Sequence, residues 1–280
     1  MRPASPLVSV ALPVHNGQPY LAAAVRSILD QSLDDLELVV AENASTDGTA
    51  EVLASFSDPR LAIVRSRELL PIADSHNLAA FESRGEFLAF MGADDVAHPE
   101  RLARQVEALR ADPSLGLVSS WVRVIDEHGV VRGALRFPTT DAELRRACFR
   151  YNPFLVPAAT VRTSLFRELG GFDRRYAGAM DYDFTLRAME RARVANLPEE
   201  LLDLRLHYSS ESIRALRSTQ LGAVRVRLAA LRRGGYPLLA ALWIFKPLLI
   251  SALPLSLARA LAHPYMLLLH GERALEKPRR

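Results

Sequence analysis

Cysteine is almost absent: Cys148 is the only one among 280 residues. A lone thiol excludes an internal disulfide and a cysteine-built zinc cluster, and it fits a reducing compartment. No glycine-rich, basic loop follows the first strand-like run; Pro13-Val-His-Asn-Gly17 stands there instead. That argues against a nucleotidyltransferase, which would grip phosphates with such a loop. No reactive Cys or Ser motif is present, so covalent catalysis through a protein nucleophile finds no support. Internal repeats and low-complexity linkers are missing as well. The first six residues run straight into a strand-like segment and are not expected to act as a signal peptide. With 49% hydrophobic residues the chain can bury a large core. Its length suits one large α/β domain or one domain with an appendage.

The formal net charge of +3 hides an asymmetry. Residues 213–280 carry 12 Lys/Arg against two acidic residues (Glu272 and Glu276), whereas residues 1–212 carry 23 basic and 30 acidic ones. The two parts therefore face different partners. Apolar positions Ile213, Leu216, Leu221, Val224, Leu228 and Leu231 recur at helical spacing, with arginines between them. Aromatics are not interleaved with those arginines, which speaks against base stacking and hence against nucleic acid. Residues 236–258 are strongly apolar and approach the roughly 20 residues that span a bilayer. Pro237, Pro247, Pro254 and Lys246 interrupt them, so helices lying in a membrane interface are expected rather than a span. Packing of this stretch on the globular part or on a partner chain is the alternative.

The first ninety residues alternate between two periods. Residues 7–12, 36–41, 61–65 and 86–91 read as strands, the apolar runs as buried parallel ones. Helical patterns fill the gaps at residues 21–31, 50–56 and 73–84, with Pro13 breaking the first strand and Gly85 stopping the third helix. This β-α-β-α-β-α-β order implies right-handed crossovers and a parallel sheet whose ligands bind at the strand carboxyl ends. Those ends are residues 13–17, 42–45 and 92–95. A helix is expected over 100–110 and a hairpin around Asp126-Glu-His-Gly129. Further helices are expected at 141–149, 164–169 and 181–191, and strands at 157–162 and 202–207.

The fourth strand ends in two adjacent carboxylates, Asp94 and Asp95. Side by side they repel, and a divalent cation bridging to phosphates would offset them, since hard oxygen ligands suit Mg²⁺ or Mn²⁺. A solvated turn that caps the next helix is the plainer alternative.

At this point the chain resembles family 2 glycosyltransferases. The resemblance rests on Val8-Ser-Val-Ala-Leu-Pro-Val-His-Asn-Gly17, Glu37-Leu-Val-Val-Ala-Glu-Asn-Ala-Ser-Thr-Asp-Gly-Thr49 and Phe87-Leu-Ala-Phe-Met-Gly-Ala-Asp-Asp95. It continues through Pro99-Glu-Arg-Leu102, Leu169-Gly-Gly-Phe-Asp173 and Met180-Asp-Tyr-Asp-Phe-Thr-Leu-Arg187, and ends near Ser212. It implies an α/β fold of the GT-A, Rossmann-like kind, with a mostly parallel central sheet flanked by helices. The domain would span residues 1–212, and an apolar, basic helical tail, possibly membrane-associated, would occupy 213–280. It also implies an inverting enzyme that uses a nucleotide-diphosphate sugar and Mg²⁺ or Mn²⁺.

The site follows position by position. By resemblance, Pro13, His15 and Asn16 contact the nucleoside, and Glu42 and Asn43 read base and ribose. His76 and Asn77 stand where a phosphate or ribose contact is common. Ala93 and Asp94 complete the nucleotide set, Asp94 and Asp95 bind metal, and His207 lies near the diphosphate or metal. Asp181 is the catalytic base, while Asp183 supports its helix. Four positions depart from the family pattern, the first being His76, which stands where an arginine is common. Gly92 replaces an acid, Met180 stands where a glutamate usually precedes the base, and Asn43 replaces an aspartate. Chemistry asks for the same parts. A leaving diphosphate needs its charge stabilised, and an acceptor hydroxyl needs a carboxylate to take its proton. The expected role is transfer to a glycan or lipid-linked glycan at the cytoplasmic face of a membrane, in cell-envelope or extracellular polysaccharide assembly. A polyprenyl-phosphate sugar synthase and a non-catalytic nucleotide-sugar-binding scaffold are the rivals.

Overall fold

Alternation along the strands explains the layering. The computed structural model describes residues 5–248 apart from 177, 207–215, 235–237 and 246. Strand β1 (Val8–Val14) turns Val8, Val10 and Leu12 to one core and Ala11 to the other. β4 (Phe87–Phe90) does the same with Phe87 and Ala89 against Leu88 and Phe90. Successive strand residues point to opposite faces, so a sheet covered on both sides needs apolar residues in both phases.

The first half is a parallel unit. β1, β2 (Leu36–Asn43), β3 (Leu61–Ser66) and β4 pair in the order β3-β2-β1-β4, all parallel. Helices α1 (Leu21–Leu29), α2 (Thr49–Ala54) and α3 (Ile72–Phe81) connect them. Strand order reverses beside β1, which opens a crevice between the loops that follow β1 and β4.

Beyond β4 the sheet becomes mixed. β8 (Thr160–Arg162) pairs antiparallel with β4 and with β6 (Leu115–Ile125). β6 also forms the expected hairpin with β7 (Val131–Leu135) and runs parallel to β9 (Arg193–Arg205). The short β5 (Val96–Ala97) closes the order on β9. Helices α4 (Arg101–Ala111), α5 (Asp141–Cys148), α6 (Thr163–Glu168) and α7 (Met180–Met189) complete this half. Thr140 caps α5 in a reciprocal pair with Glu143.

Two expectations need correction. Pro13 does not break β1; it pairs in register with Ala41. Ala11 accepts from Met91 N, so Pro13, two residues on, turns the same edge toward β4, which has already ended at Phe90. Its missing N–H therefore faces a side with no strand, where proline is tolerated. The strand expected at 202–207 begins nine residues earlier, at Arg193. Pro198 and Glu199 sit in an irregularity: Ser120 pairs with Leu197 and Trp121 with Glu200. A bulge lets the strand continue past a residue that cannot donate to the ladder.

Helix α8 (Leu216–Arg232) buries Val226 and Ala230 in the same core as α7. A 3₁₀ segment, Leu238–Ile244, follows, and Leu242, Trp243 and Phe245 are exposed. No described helix is long and apolar enough to cross a membrane.

Candidate active site

The loop after β1 is sewn to the loop after β2. Asn16 takes a left-handed conformation (φ 53°), as does Ala44 (φ 51°). Asn16 Oδ1 accepts from Thr46 N at 2.8 Å, and Asn16 N donates to Ser45 Oγ. Gly17 N donates to Thr49 Oγ1, and Gln18 N to Asp47 Oδ2. A short amide side chain tolerates this backbone region and bonds locally, which suits Asn at the turn. His15 Nδ1 donates to the Asn43 carbonyl at 2.8 Å, which leaves Nε2 as acceptor for the Asn16 amide. Glu42, buried at the end of β2, accepts from Ser45 N at 2.7 Å.

Across the crevice, Asp94 and Asp95 stand in the turn between β4 and β5. Asp95 is 2% exposed, and its Oδ1 accepts from the backbone N of Arg205 at 2.9 Å. Burial pushes its pKa well above the ordinary carboxylate range, with the charge of Asp94 adding to the effect. Arg101, fully buried, and Arg205 pull the other way through their charge. Arg205 Nε donates to the Asp94 carbonyl at 2.8 Å and Nη1 to the Asp126 carbonyl, while its guanidinium lies 4.5 Å over the Tyr20 ring. One arginine thus clamps the Asp94-Asp95 turn against the residue that precedes α1.

Gly92 gives these carboxylates their room. A Cβ there would stand 2.4 Å from Asp95 Oδ2 and 3.1 Å from Asp94 Oδ1. Carboxylate oxygens of two residues therefore lie against the same glycine, on a face that carries no side chain. Such a donor set fits Mg²⁺ or Mn²⁺, which are held through one or two carboxylates with phosphates and water supplying the rest. Among the described residues no three His, Cys, Asp or Glu side chains gather into a metal cage of their own.

Asp181 opens α7. Burial raises its pKa, and the N–H of Tyr182 and the amide of Asn152, 3.0 Å from Oδ2, hold it back. A cluster of rings fixes α7 relative to β4: Phe90, Phe166, Phe172 and Phe184 meet at centroid distances of 5.2–5.6 Å. Tilted and edge-on packing of this kind is favourable and directional. Asp183, 1% exposed, pairs with Arg187 at 2.7 Å, and Arg187 also donates to the Leu169 and Gly171 carbonyls. That bond set is structural, as expected for Asp183.

The family model for Glycosyl transferase family 2 matches residues 9–170. The chain belongs to this family. Putative glycosyltransferase EpsE of Bacillus subtilis is 32% identical over 256 residues, covering 89% of this chain and 90% of that protein. Chondroitin synthase of Escherichia coli is 27% identical over 75% of this chain, which spans only 30% of the synthase. Among solved structures, mannosyltransferase PcManGT from Pyrobaculum calidifontis, in complex with GDP-Man and Mn²⁺, aligns over 95% of this chain and 76% of its own. The TM-score is 0.64 at 22% identity. S. aureus TarS 1-349 with UDP-GlcNAc aligns with a TM-score of 0.62 at 18% identity, over 91% of this chain and 86% of its own. The architecture is therefore GT-A, and the protein is a glycosyltransferase.

The glycosyltransferase places its expected site residues unevenly. Pro13, His15, Asn16, Glu42, Ala93, Asp94 and Asp95 gather at the carboxyl ends of β1, β2 and β4. Asn43 does not aim its amide outward: Nδ2 donates to the Leu70 carbonyl, and Oδ1 accepts from Leu70 N. Its side chain holds the segment before α3. Asn77 spends its amide in the same way on both backbone groups of Phe172. His76 donates from Nδ1 to the Ile72 carbonyl and stands edge-on to Phe172. Burial lowers its pKa to about 4, so it offers no cation to a phosphate near neutral pH. His207 lies outside the described residues. Sequence reasoning missed Arg205 and Asn152. Arg205 sits two residues before His207 in a strand-like run, and Asn152 in the turn signal Tyr151-Asn-Pro-Phe154; neither pattern says which carboxylate it will meet.

Proposed function

We propose that the enzyme moves a sugar from a nucleotide-diphosphate sugar to an acceptor hydroxyl, with inversion at the anomeric carbon. The observation that carries this reading is the placement of Asp94 and Asp95 against Gly92 at the switch point beside β1, with Asp181 held on a helix braced against β4 by four phenylalanines. The loops after β1 and β2 receive the nucleoside through His15, Asn16 and Glu42. Asp94 and Asp95 would hold a Mg²⁺ or Mn²⁺ ion. When bound, such an ion stabilises the charge that develops on the departing diphosphate. Asp181 takes the proton of the attacking hydroxyl, and its raised pKa makes it a stronger base than a solvated aspartate. One base and direct displacement suffice, and displacement from the opposite face inverts the centre.

Similarity to a chondroitin synthase and to structures holding UDP-GlcNAc or GDP-Man supports a nucleotide-sugar donor and a glycan acceptor. We infer a role in cell-envelope or extracellular polysaccharide assembly at the cytoplasmic face of a membrane. The basic, apolar sequence after residue 212 would supply peripheral contact with that membrane. Unchanged membrane partition after deletion of residues 236–280 would refute that placement.

Calorimetry with a panel of nucleoside diphosphates and their sugars, with and without Mn²⁺, on wild type and Asp95→Ala, tests the core of the reading. Metal-dependent binding of one nucleotide, lost in the variant, is expected. A folded protein that binds none of them would refute it. Product analysis then separates a hydroxyl acceptor from a polyprenyl phosphate.

A further inference from the structure

We propose that Asn152 is a positioning residue that holds the Asp181 carboxylate through Oδ2 in one orientation for taking the acceptor's proton. This rests on the reading of Asp181 as base. The side-chain orientation of Asn152 follows from its partners. Phe154 N can only donate, and it lies 3.3 Å from Asn152 Oδ1. The amide nitrogen must then face Asp181, and Nδ2 donates to Oδ2 at 3.0 Å.

The loop that carries Asn152 is held from several sides. Tyr182, the residue after Asp181, donates its hydroxyl to the Cys148 carbonyl at the end of α5. Arg227 of α8 donates to that same hydroxyl and to the Arg150 carbonyl at 3.0 Å. The Pro153 carbonyl accepts from Asn196 of β9 at 3.1 Å, and Phe154 is buried in the core. The carbonyls of Cys148, Arg150 and Pro153 are thereby tied to α7, α8 and β9. A loop so constrained fixes where its one amide points, and a carboxylate bonded to a fixed donor keeps one rotamer. A neutral amide suits the task, because it favours the charged carboxylate without adding a counter-charge that would quench its basicity. Around Asp181 the titratable neighbours are Tyr182 on its own helix and, through Tyr182, Cys148 and Arg227.

The test uses the full chain labelled with ¹³C at aspartate, the Asp181 signal being assigned with Asp181→Asn. Titration of wild type, Asn152→Ala and Asn152→Ser is followed by NMR. Serine keeps an acceptor for Phe154 N but cannot reach Asp181, so it covers the case in which alanine unsettles the loop. The pKa of Asp181 is expected to rise by about 1 in both variants, the loss of one hydrogen bond to a charged group. Release of nucleoside diphosphate from the donor selected by calorimetry should fall about tenfold or more in kcat, with donor KM unchanged and the acid limb of the pH profile moved upward. An unchanged Asp181 titration in folded variants would overturn the proposal. Full turnover by Asp181→Asn would overturn the base reading instead, and that result is independent of the titration.

Discussion

Adding a single methyl at Gly92 tests the metal-site reasoning most directly. The backbone permits it, because Gly92 is not among the residues at positive φ. The obstacle is steric. The new carbon would sit 2.4 Å from Asp95 Oδ2 and 3.1 Å from both Asp95 Cγ and Asp94 Oδ1. Carbon and oxygen rest at about 3.5 Å, so the Asp95 carboxylate must retreat by about 1 Å. It has little freedom to do so, being 2% exposed and tethered through Oδ1 to Arg205 N. Overpacking of a rigid site costs ~1–3 kcal/mol. Gly92→Ala should therefore lower stability by that amount, measured by urea denaturation. The same displacement moves the Asp95 ligand oxygen away from Asp94, and Mn²⁺-dependent nucleotide affinity should fall about tenfold or more, where tenfold corresponds to ~1.4 kcal/mol. Calorimetry with and without Mn²⁺ reads both the loss and its metal dependence. A Gly92→Ala protein that binds nucleotide and Mn²⁺ as wild type does would refute the two carboxylates as the ligand set.

Arg187→Ala should destabilise by ~3–5 kcal/mol in chemical denaturation, because it strands Asp183 as an uncompensated charge at 1% exposure; a loss below 1 kcal/mol would mean that the pair is dispensable. Arg205→Lys should weaken nucleotide binding about tenfold while leaving the fold intact, since a point charge cannot hold the Asp94 and Asp126 carbonyls and stack on Tyr20 at once. His76 sets a pH dependence. Its folded pKa of about 4 lies below the ordinary 6.5, so between those values the unfolded chain binds a proton that the folded chain refuses. Stability should be complete above pH 6.5 and decline as pH falls toward 4, by up to ~3 kcal/mol, an upper bound because the ring is only partly buried. His76→Gln should flatten that slope; a slope unchanged in the variant would assign it to other groups.

Much of the first ninety residues can be read from local pattern. Runs such as Leu38-Val-Val-Ala41 and Phe87-Leu-Ala-Phe90 are apolar in both phases, and only a strand covered on both faces wants that. Helical spacing between them then forces parallel pairing and puts Asp94 and Asp95 at a carboxyl end. The site is less legible. Asn43 and Asn77 stand at positions where a ligand contact is expected, yet both hold backbone groups, of Leu70 and Phe172. An amide binds a nucleotide or a neighbouring peptide group with the same atoms, and the one-dimensional pattern does not distinguish the two.

The chain alone determined the α/β alternation and the two carboxylates that follow β4, because these follow from periodicity and chain order over a few tens of residues. Tertiary structure decided the rest. Only the parallel pairing of β6 with β9 carries the second half of the sheet past Pro198 and sets Arg205 against Asp95. Packing of α5, α7, α8 and β9 brings Asn152 to Asp181. These partners lie 110 and 29 residues apart. Their meeting depends on how faces far apart in sequence bury one another, which no local spacing encodes.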